Sequence, residues 1–246
     1  AFPNPEEPGA LDLAKALADE VGAALVIASD PDADRLAVCV PHDGGWHQLT
    51  GNQVGVLLAD DLLTHGEAFR DWPRMVATTI VSTSQLRQLA ELHGVACVET
   101  LTGFKWIADR AIAHDAAGGR FVLGFEEALG YSAGSVVRDK DGVSAALLFC
   151  DLAAWCASRG VSVLQHLEDL YRRTGWYGSA QVSVKHEGLD GPERMAAVLD
   201  GLRADPPTDV AGVRVARVRD VLAGTATDTG TGEVTALDLP RSNVLA

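Results

Sequence analysis

Three aspartates alternate along Ser29-Asp-Pro-Asp-Ala-Asp-Arg-Leu36, and Arg35 stands directly behind them. Asp30, Asp32 and Asp34 held this closely repel one another. A hard divalent cation relieves that repulsion through oxygen ligands. Arg35 adds a planar guanidinium able to grip a phosphate oxygen beside such an ion. An EF-hand does not fit the spacing. With Asp30 in first position, the glycine position falls on Arg35 and the closing glutamate position on Pro41. A phosphatase of the haloacid dehalogenase kind also sets D-x-D behind an apolar strand, with the first Asp as nucleophile. An Asx-rich turn without a ligand is the plain alternative. Three carboxylates plus an arginine favour the metal loop.

Three further stretches carry chemistry. Gly124-Phe-Glu-Glu-Ala-Leu-Gly-Tyr131 puts two carboxylates, Glu126 and Glu127, at the C-terminal end of an apolar run. Open α/β sheets bind ligands at that end of their strands, and a carboxylate there accepts hydrogen bonds from vicinal sugar hydroxyls. An acidic pair at a helix N-terminus is the competing reading. Arg138-Asp-Lys-Asp-Gly142 sets Lys140 between two aspartates, where it pairs with them or exchanges a proton near a hydroxyl. Thr100-Leu-Thr-Gly-Phe-Lys-Trp106 is a strand-to-helix junction with Lys105 in the first turn, suited to an anionic or hydroxyl-rich ligand. No Walker or Rossmann glycine pattern is present.

The elements around these stretches follow from periodicity. Residues 8–20 have helical spacing, with Gly22 just past their end. Residues 23–28 and 36–40 are apolar runs that flank the aspartates as strands, and Gly44-Gly45 turns the chain into a short strand at 46–49. A helix is expected from Thr50 through Leu63, a strand over 75–80, and a helix capped by Ser82-Thr-Ser through His93. Strands over 95–98 and 120–123 alternate with a helix over 103–114. Residues 125–142 read as a long polar loop, and helices over 143–158 and 161–173 are separated by Gly160. This alternation marks a mainly parallel α/β sheet. From about Gly175 the texture becomes α+β. A strand over 181–185, a helix over 192–202, an alternating run over 213–218 and a hairpin-like loop over 224–232 follow.

Composition narrows the classes. The chain of 246 residues carries 20 Lys and Arg against 34 Asp and Glu, a formal charge of −14. That balance argues against a nucleic-acid surface, which needs basic clusters, but admits phosphorylated small molecules at a local positive site. Hydrophobic residues make up 47%, enough for substantial cores. Cys39, Cys97, Cys150 and Cys156 show no C-x-x-C spacing and read as reduced core cysteines of a cytoplasmic protein. The scattered histidines argue against zinc. The apolar stretch from Val143 to Ala157, broken by Ser144 and Asp151, is too short for a membrane span. No signal peptide is expected. The opening Ala-Phe-Pro-Asn-Pro reads as the middle of a longer chain.

Taken in order, SDPDADR, LTGFKW, GFEEALGY and RDKDG resemble the α-D-phosphohexomutase superfamily, phosphoglucomutases and phosphomannomutases with their phosphopentomutase-like branch. The resemblance implies three-layer α/β/α domains and an incomplete α+β C-terminal domain. Residues 1–49 would end a metal-binding second domain, 50–174 would form the sugar-binding third, and 175–246 would begin the fourth. It implies Mg2+ on Asp30, Asp32 and Asp34, with Arg35 beside a phosphoserine supplied by a first domain that this chain lacks. Glu126 would accept sugar hydroxyls, Thr102, Gly103 and Lys105 would line the sugar site with Arg138 nearby, and Lys140 would transfer a proton or touch phosphate. Partners would be sugar mono- and bisphosphates, with no nucleic acid or membrane. Ala128 stands where many relatives carry a serine, so one hydroxyl-binding group is missing. The serine loop and the phosphate-clamp loop of the family do not occur here, and the isolated chain is expected to lack mutase turnover. A non-catalytic sugar-phosphate-binding paralogue is the other reading.

Overall fold

A computed structural model describes residues 4–182, 184 and 186–246. The chain forms two compact units, 1–179 and 180–246.

The first unit opens with turns, because Gly9 takes a left-handed φ of +82° ahead of the first helix. Helix α1 (Asp12–Val21) therefore starts later than the sequence spacing suggests. Gly22 ends it in the left-handed region, its amide reaching Ala18 O and Asp19 O. Strand β1 (Val26–Ser29) then runs antiparallel to β2 (Leu36–His42), which pairs with β3 (Gly45–Gln48). Ser29 faces Leu36 in that register, so the aspartates form the connection of a β-hairpin. β2 is buried from Leu36 through Val40. One edge of β1 pairs with no described strand.

Thr50 and Gln53 close a capping box on α2 (Gly51–His65), which explains its sharp start. The chain continues as β4 (Arg74–Thr79), α3 (Gln85–His93), β5 (Ala96–Thr100), α4 (Phe104–Ala116), β6 (Arg120–Glu126) and β7 (Gly130–Ala133). Helices α5 (Gly142–Ser158) and α6 (Val163–Thr174) complete the unit. The four-stranded sheet has the order β5-β4-β6-β7. Parallel pairing links β5, β4 and β6, and every other described ladder is antiparallel.

Two local expectations change. The polar stretch 125–142 is not all loop: β6 extends to Glu126 and returns as β7. The Ser82-Thr-Ser cluster caps α3 differently. Ser84 makes no capping bond, Gln85 N donates to Thr83 Oγ1, and Ser82 is bonded elsewhere. One core runs through the unit from Leu11 to Leu170 and joins β2, α2, β6, α5 and α6. Cys39 and Cys156 lie in it, Cys97 is half-buried, and Cys150 is exposed, unlike the core position its apolar run suggested.

The second unit contains α7 (Gly191–Ala204), begun by Pro192 near its N-terminus. Short strands β8 (Asp209–Val210) and β9 (Val213–Arg214) pair with each other. Strands β10 (Arg217–Asp220), β11 (Thr225–Asp228) and β12 (Val234–Ala236) form an antiparallel sheet. The stretch 224–232 is thus a strand followed by a turn, rather than a loop. The expected strand over 181–185 is not found at Gln181, Val182 or Val184, which are irregular, and its remaining residues lie outside the described ones. No single helix among the described residues is long and apolar enough to cross a membrane.

Candidate active site

Asp30, Asp32 and Asp34 each offer a carboxylate oxygen, and these oxygens lie within 4.8 Å of one another. The tight hairpin connection brings them together. Ala33 takes a left-handed φ of +61°, and its amide bonds back to Asp30 O at 3.0 Å. Three hard, anionic oxygens in one loop suit Mg2+. Asp30 is 6% exposed. Its two oxygens accept from the Arg35 amide at 3.1 Å and from Arg35 Nε at 2.7 Å. Burial pushes the Asp30 carboxyl up, and the Arg35 bonds outweigh it and hold the group below its ordinary value. A carboxylate clasped on both oxygens is poorly prepared to act as a free nucleophile. This geometry disfavours the dehalogenase-type reading.

The other stretches converge on this loop. Leu36 N donates to Leu129 O at 3.1 Å, and Arg35 bridges to Gly130. Leu129 is fully buried at a φ of +65°, so the carboxylate turn is held in a conformation that its packing must enforce. Gly142 begins α5 against the loop backbone. A Cβ there would lie 2.5 Å from Arg35 O and 2.7 Å from Ala33 O. Gly51 meets the carboxylate turn in the same way, 2.0 Å from Glu127 O.

Lys140 reaches out of the loop before α5. Its Nζ lies 3.0 Å from Asp34 Oδ2 and 3.1 Å from Asp139 Oδ1. Partial burial pushes the ammonium down, and the two aspartates more than offset this, leaving Lys140 above its ordinary value. It is therefore a charged donor at neutral pH. Asp141 caps α5 through the amides of Val143 and Ser144, which fixes the loop's exit.

The two glutamates divide their work. Glu126 is buried, and its Oε1 accepts from the Gly103 amide at 2.6 Å. Burial raises its carboxyl above the ordinary value, partly opposed by the Gly103 bond. Gly103 has a φ of +113°, so it turns the chain into α4 with its amide aimed at Glu126. Glu127 accepts from Ser82 Oγ at 2.6 Å and Thr79 Oγ1 at 3.4 Å. It ties the turn to the end of β4.

Of the remaining candidates, Thr102, Lys105 and Ala128 are exposed beside these groups in sequence, and the Lys105 ammonium lies over the Trp106 ring, 5.0 Å from its centroid. Arg138 is not brought to the aspartates. It pairs with Asp115 on α4 at 3.1 Å. Of the two aspartates that flank Lys140, Asp139 shares its ammonium, whereas Asp141 caps α5. Sequence reasoning missed two participants. Ser82 anchors Glu127, and Glu6 sits close enough to Arg35 and Glu127 to feel both charges. The Glu6-Glu7 pair beside Pro5 was a visible but uninterpreted signal.

Comparison with known proteins fits this geometry. Residues 50–174 match the model for phosphoglucomutase/phosphomannomutase alpha/beta/alpha domain III, and residues 1–45 match that for domain II. The chain belongs to this family, within the α-D-phosphohexomutase superfamily. A Schizosaccharomyces pombe protein named "Probable phosphoribomutase" is 36% identical over 95% of the chain and 40% of its own length. A Haemophilus influenzae protein named "Probable phosphomannomutase" is 40% identical over 89% of the chain and 43% of its own length. The open form of the Paramecium phosphoglucomutase pp63/parafusin shares the fold, with a TM-score of 0.62 at 20% identity, over 95% of this chain and 39% of that one. The chain thus spans less than half of the length of these relatives.

Proposed function

We propose that the chain is the central part of a phosphosugar mutase. Asp30, Asp32 and Asp34 hold Mg2+, and Arg35 and Lys140 face the phosphoryl group in transfer. The parent enzyme moves a phosphoryl group between the 1 and 6, or 1 and 5, positions of a sugar monophosphate. A phosphoserine elsewhere in the parent gives its phosphoryl group to the free sugar hydroxyl. The resulting bisphosphate turns over in the site, and its other phosphate returns to the serine. When bound, the metal neutralises charge on the transferring oxygens. Arg35 and Lys140 supply positive donors beside it. Glu126 orients the sugar by accepting from its hydroxyls, and Thr102, Gly103 and Lys105 line the same side. In this reading residues 1–49, 50–174 and 175–246 belong to the metal-binding, sugar-binding and closing domains of the parent.

The observation that carries the reading is the meeting of the loops: Lys140 Nζ lies 3.0 Å from Asp34 Oδ2, so the loop before α5 touches a metal-site carboxylate. Ala128 offers only a methyl beside the carboxylates, which removes a hydroxyl contact for hexoses, and one relative is named a phosphoribomutase. Pentose phosphates therefore belong to the substrate class alongside hexose phosphates. Calorimetry of the purified chain tests this. Mg2+ should bind weakly, and Asp34→Asn should abolish the signal. Ribose 5-phosphate or glucose 1-phosphate should bind without turnover. Mutase turnover by these 246 residues alone would refute the dependence on a phosphoserine outside them.

A further inference from the structure

Two of the three loop aspartates already hold a cation belonging to the chain, and the two cations are held differently. Arg35 is bound through both its main chain and its side chain to the buried Asp30, and both partners belong to one short loop. Lys140 comes from another loop and divides its ammonium between Asp34 and Asp139. The Asp139 side chain is 68% exposed, against 28% for Asp34. The lysine stem is confined. A Cβ on Gly130 would lie 2.7 Å from Lys140 Cδ and 3.1 Å from Cγ, and the ammonium sits 5.6 Å from the Phe104 ring centroid. The ammonium can thus shift from Asp34 toward Asp139 while its stem stays packed.

A divalent cation on Asp34 and an ammonium 3.0 Å from the same carboxylate oxygen repel each other. We propose that Lys140 is an exchangeable counter-ion of the aspartate loop. It keeps Asp34 turned toward the other two carboxylates and yields it to the divalent ion, and its ammonium is then retained by Asp139 and presented to an anionic ligand. This inference rests on the metal reading of Asp30, Asp32 and Asp34. It makes metal and anion binding mutually favourable, because each relieves a charge contact that the other opposes, and such coupling is reciprocal.

The test is Mg2+ titration into the whole purified chain at low ionic strength, followed by calorimetry. Lys140→Met keeps the stem's bulk against Gly130 and Phe104 and removes the charge. It should tighten Mg2+ binding about threefold to tenfold, the scale of a partly exposed ion pair together with one removed repulsion. Lys140→Arg keeps the charge and should stay within about twofold of the parent. Asp139→Asn should weaken Mg2+ binding in the parent and do so less in the Lys140→Met background, because Asp139 acts through Lys140. Circular dichroism confirms that each variant is folded. Equal or weaker Mg2+ binding by folded Lys140→Met, or an Asp139 effect that ignores Lys140, overturns the exchange while leaving the metal site standing. Absence of Mg2+ binding by the parent and by every variant overturns the metal reading itself, and the exchange with it.

Discussion

Gly142→Ala places one methyl group where the aspartate loop and α5 meet. The added Cβ would lie 2.5 Å from Arg35 O, 2.7 Å from Ala33 O and 2.9 Å from Arg35 C. Carbon and carbonyl oxygen normally stay about 3.3 Å apart or more, so one partner must move by roughly 0.8 Å to clear the Arg35 carbonyl. Neither is a flexible side-chain tip. Both carbonyls belong to the hairpin connection, held by Ala33 N to Asp30 O, Arg35 N to Asp30 Oδ1, and Leu36 N to Leu129 O. The helix start is equally fixed by the Asp141 cap. Overpacking of this kind costs about 1–3 kcal/mol. For a unit of this size, 2 kcal/mol lowers the melting temperature by about 4–8 °C. Differential scanning calorimetry with and without Mg2+ reads both the melting shift and the loss of metal stabilisation. Gly201→Ala is the control. That glycine lies inside α7 with nothing within 4 Å of its Cβ position, and the same substitution there should stabilise by about 0.5–1 kcal/mol. Parental melting and Mg2+ response in Gly142→Ala would refute the argument that α5 buttresses the loop backbone.

Glu127→Ala removes the acceptor of Ser82 and Thr79, which should cost about 1–3 kcal/mol in urea unfolding and increase hydrogen exchange at the carboxylate turn. Arg173→Met strips the 2.6 Å partner from Asp60, which is 3% exposed and has one oxygen without a hydrogen bond. Leaving that carboxylate with only the nearby His93 and His166 should cost about 1–3 kcal/mol, below the fully buried case because Arg173 itself is half-exposed. For Glu126 the sign follows from its raised carboxyl. The folded state binds its proton more tightly than the unfolded state, so the site is penalised at neutral pH and relieved as pH falls through the folded value. Glu126→Gln should therefore be more stable than the parent at pH 7, with the gap closing on acidification. A gap that widens toward pH 5 in urea midpoints would contradict this.

Much of the first unit was legible in residue patterns. The β-strand and helix order from Thr50 to Thr174 follows from apolar periodicity and from caps such as Thr50 with Gln53, which act within a few residues of themselves. The aspartate loop was legible because its three carboxylates alternate within a single hairpin connection. What escaped depends on partners far apart in sequence. β7 is too short and too mixed to announce itself, and it forms because Leu123 through Glu126 offer an edge. Ser82 looks like a helix cap until Glu127, distant in the chain, claims it. Arg138 looks like part of the ligand cluster until Asp115 holds it on α4. In each case a local propensity lost to a tertiary partner that no short window contains.

The continuous core of the first unit limits where this molecule can be divided. The boundary between the two family matches, residues 1–45 and 50–174, invites a cut between residues 49 and 50. Yet Leu36 through Val40 share one core with α2 and α5, and Leu36 is bonded to the carboxylate turn. A polypeptide beginning at residue 50 would expose the side of α5 that faces β1 and β2, leave Leu129 O without Leu36, and be a poor candidate for expression or grafting. The serviceable seam lies near Ser179, where the first compact unit ends. For anyone building chimeras from this chain, the aspartate hairpin and the four-stranded sheet are one exchangeable part.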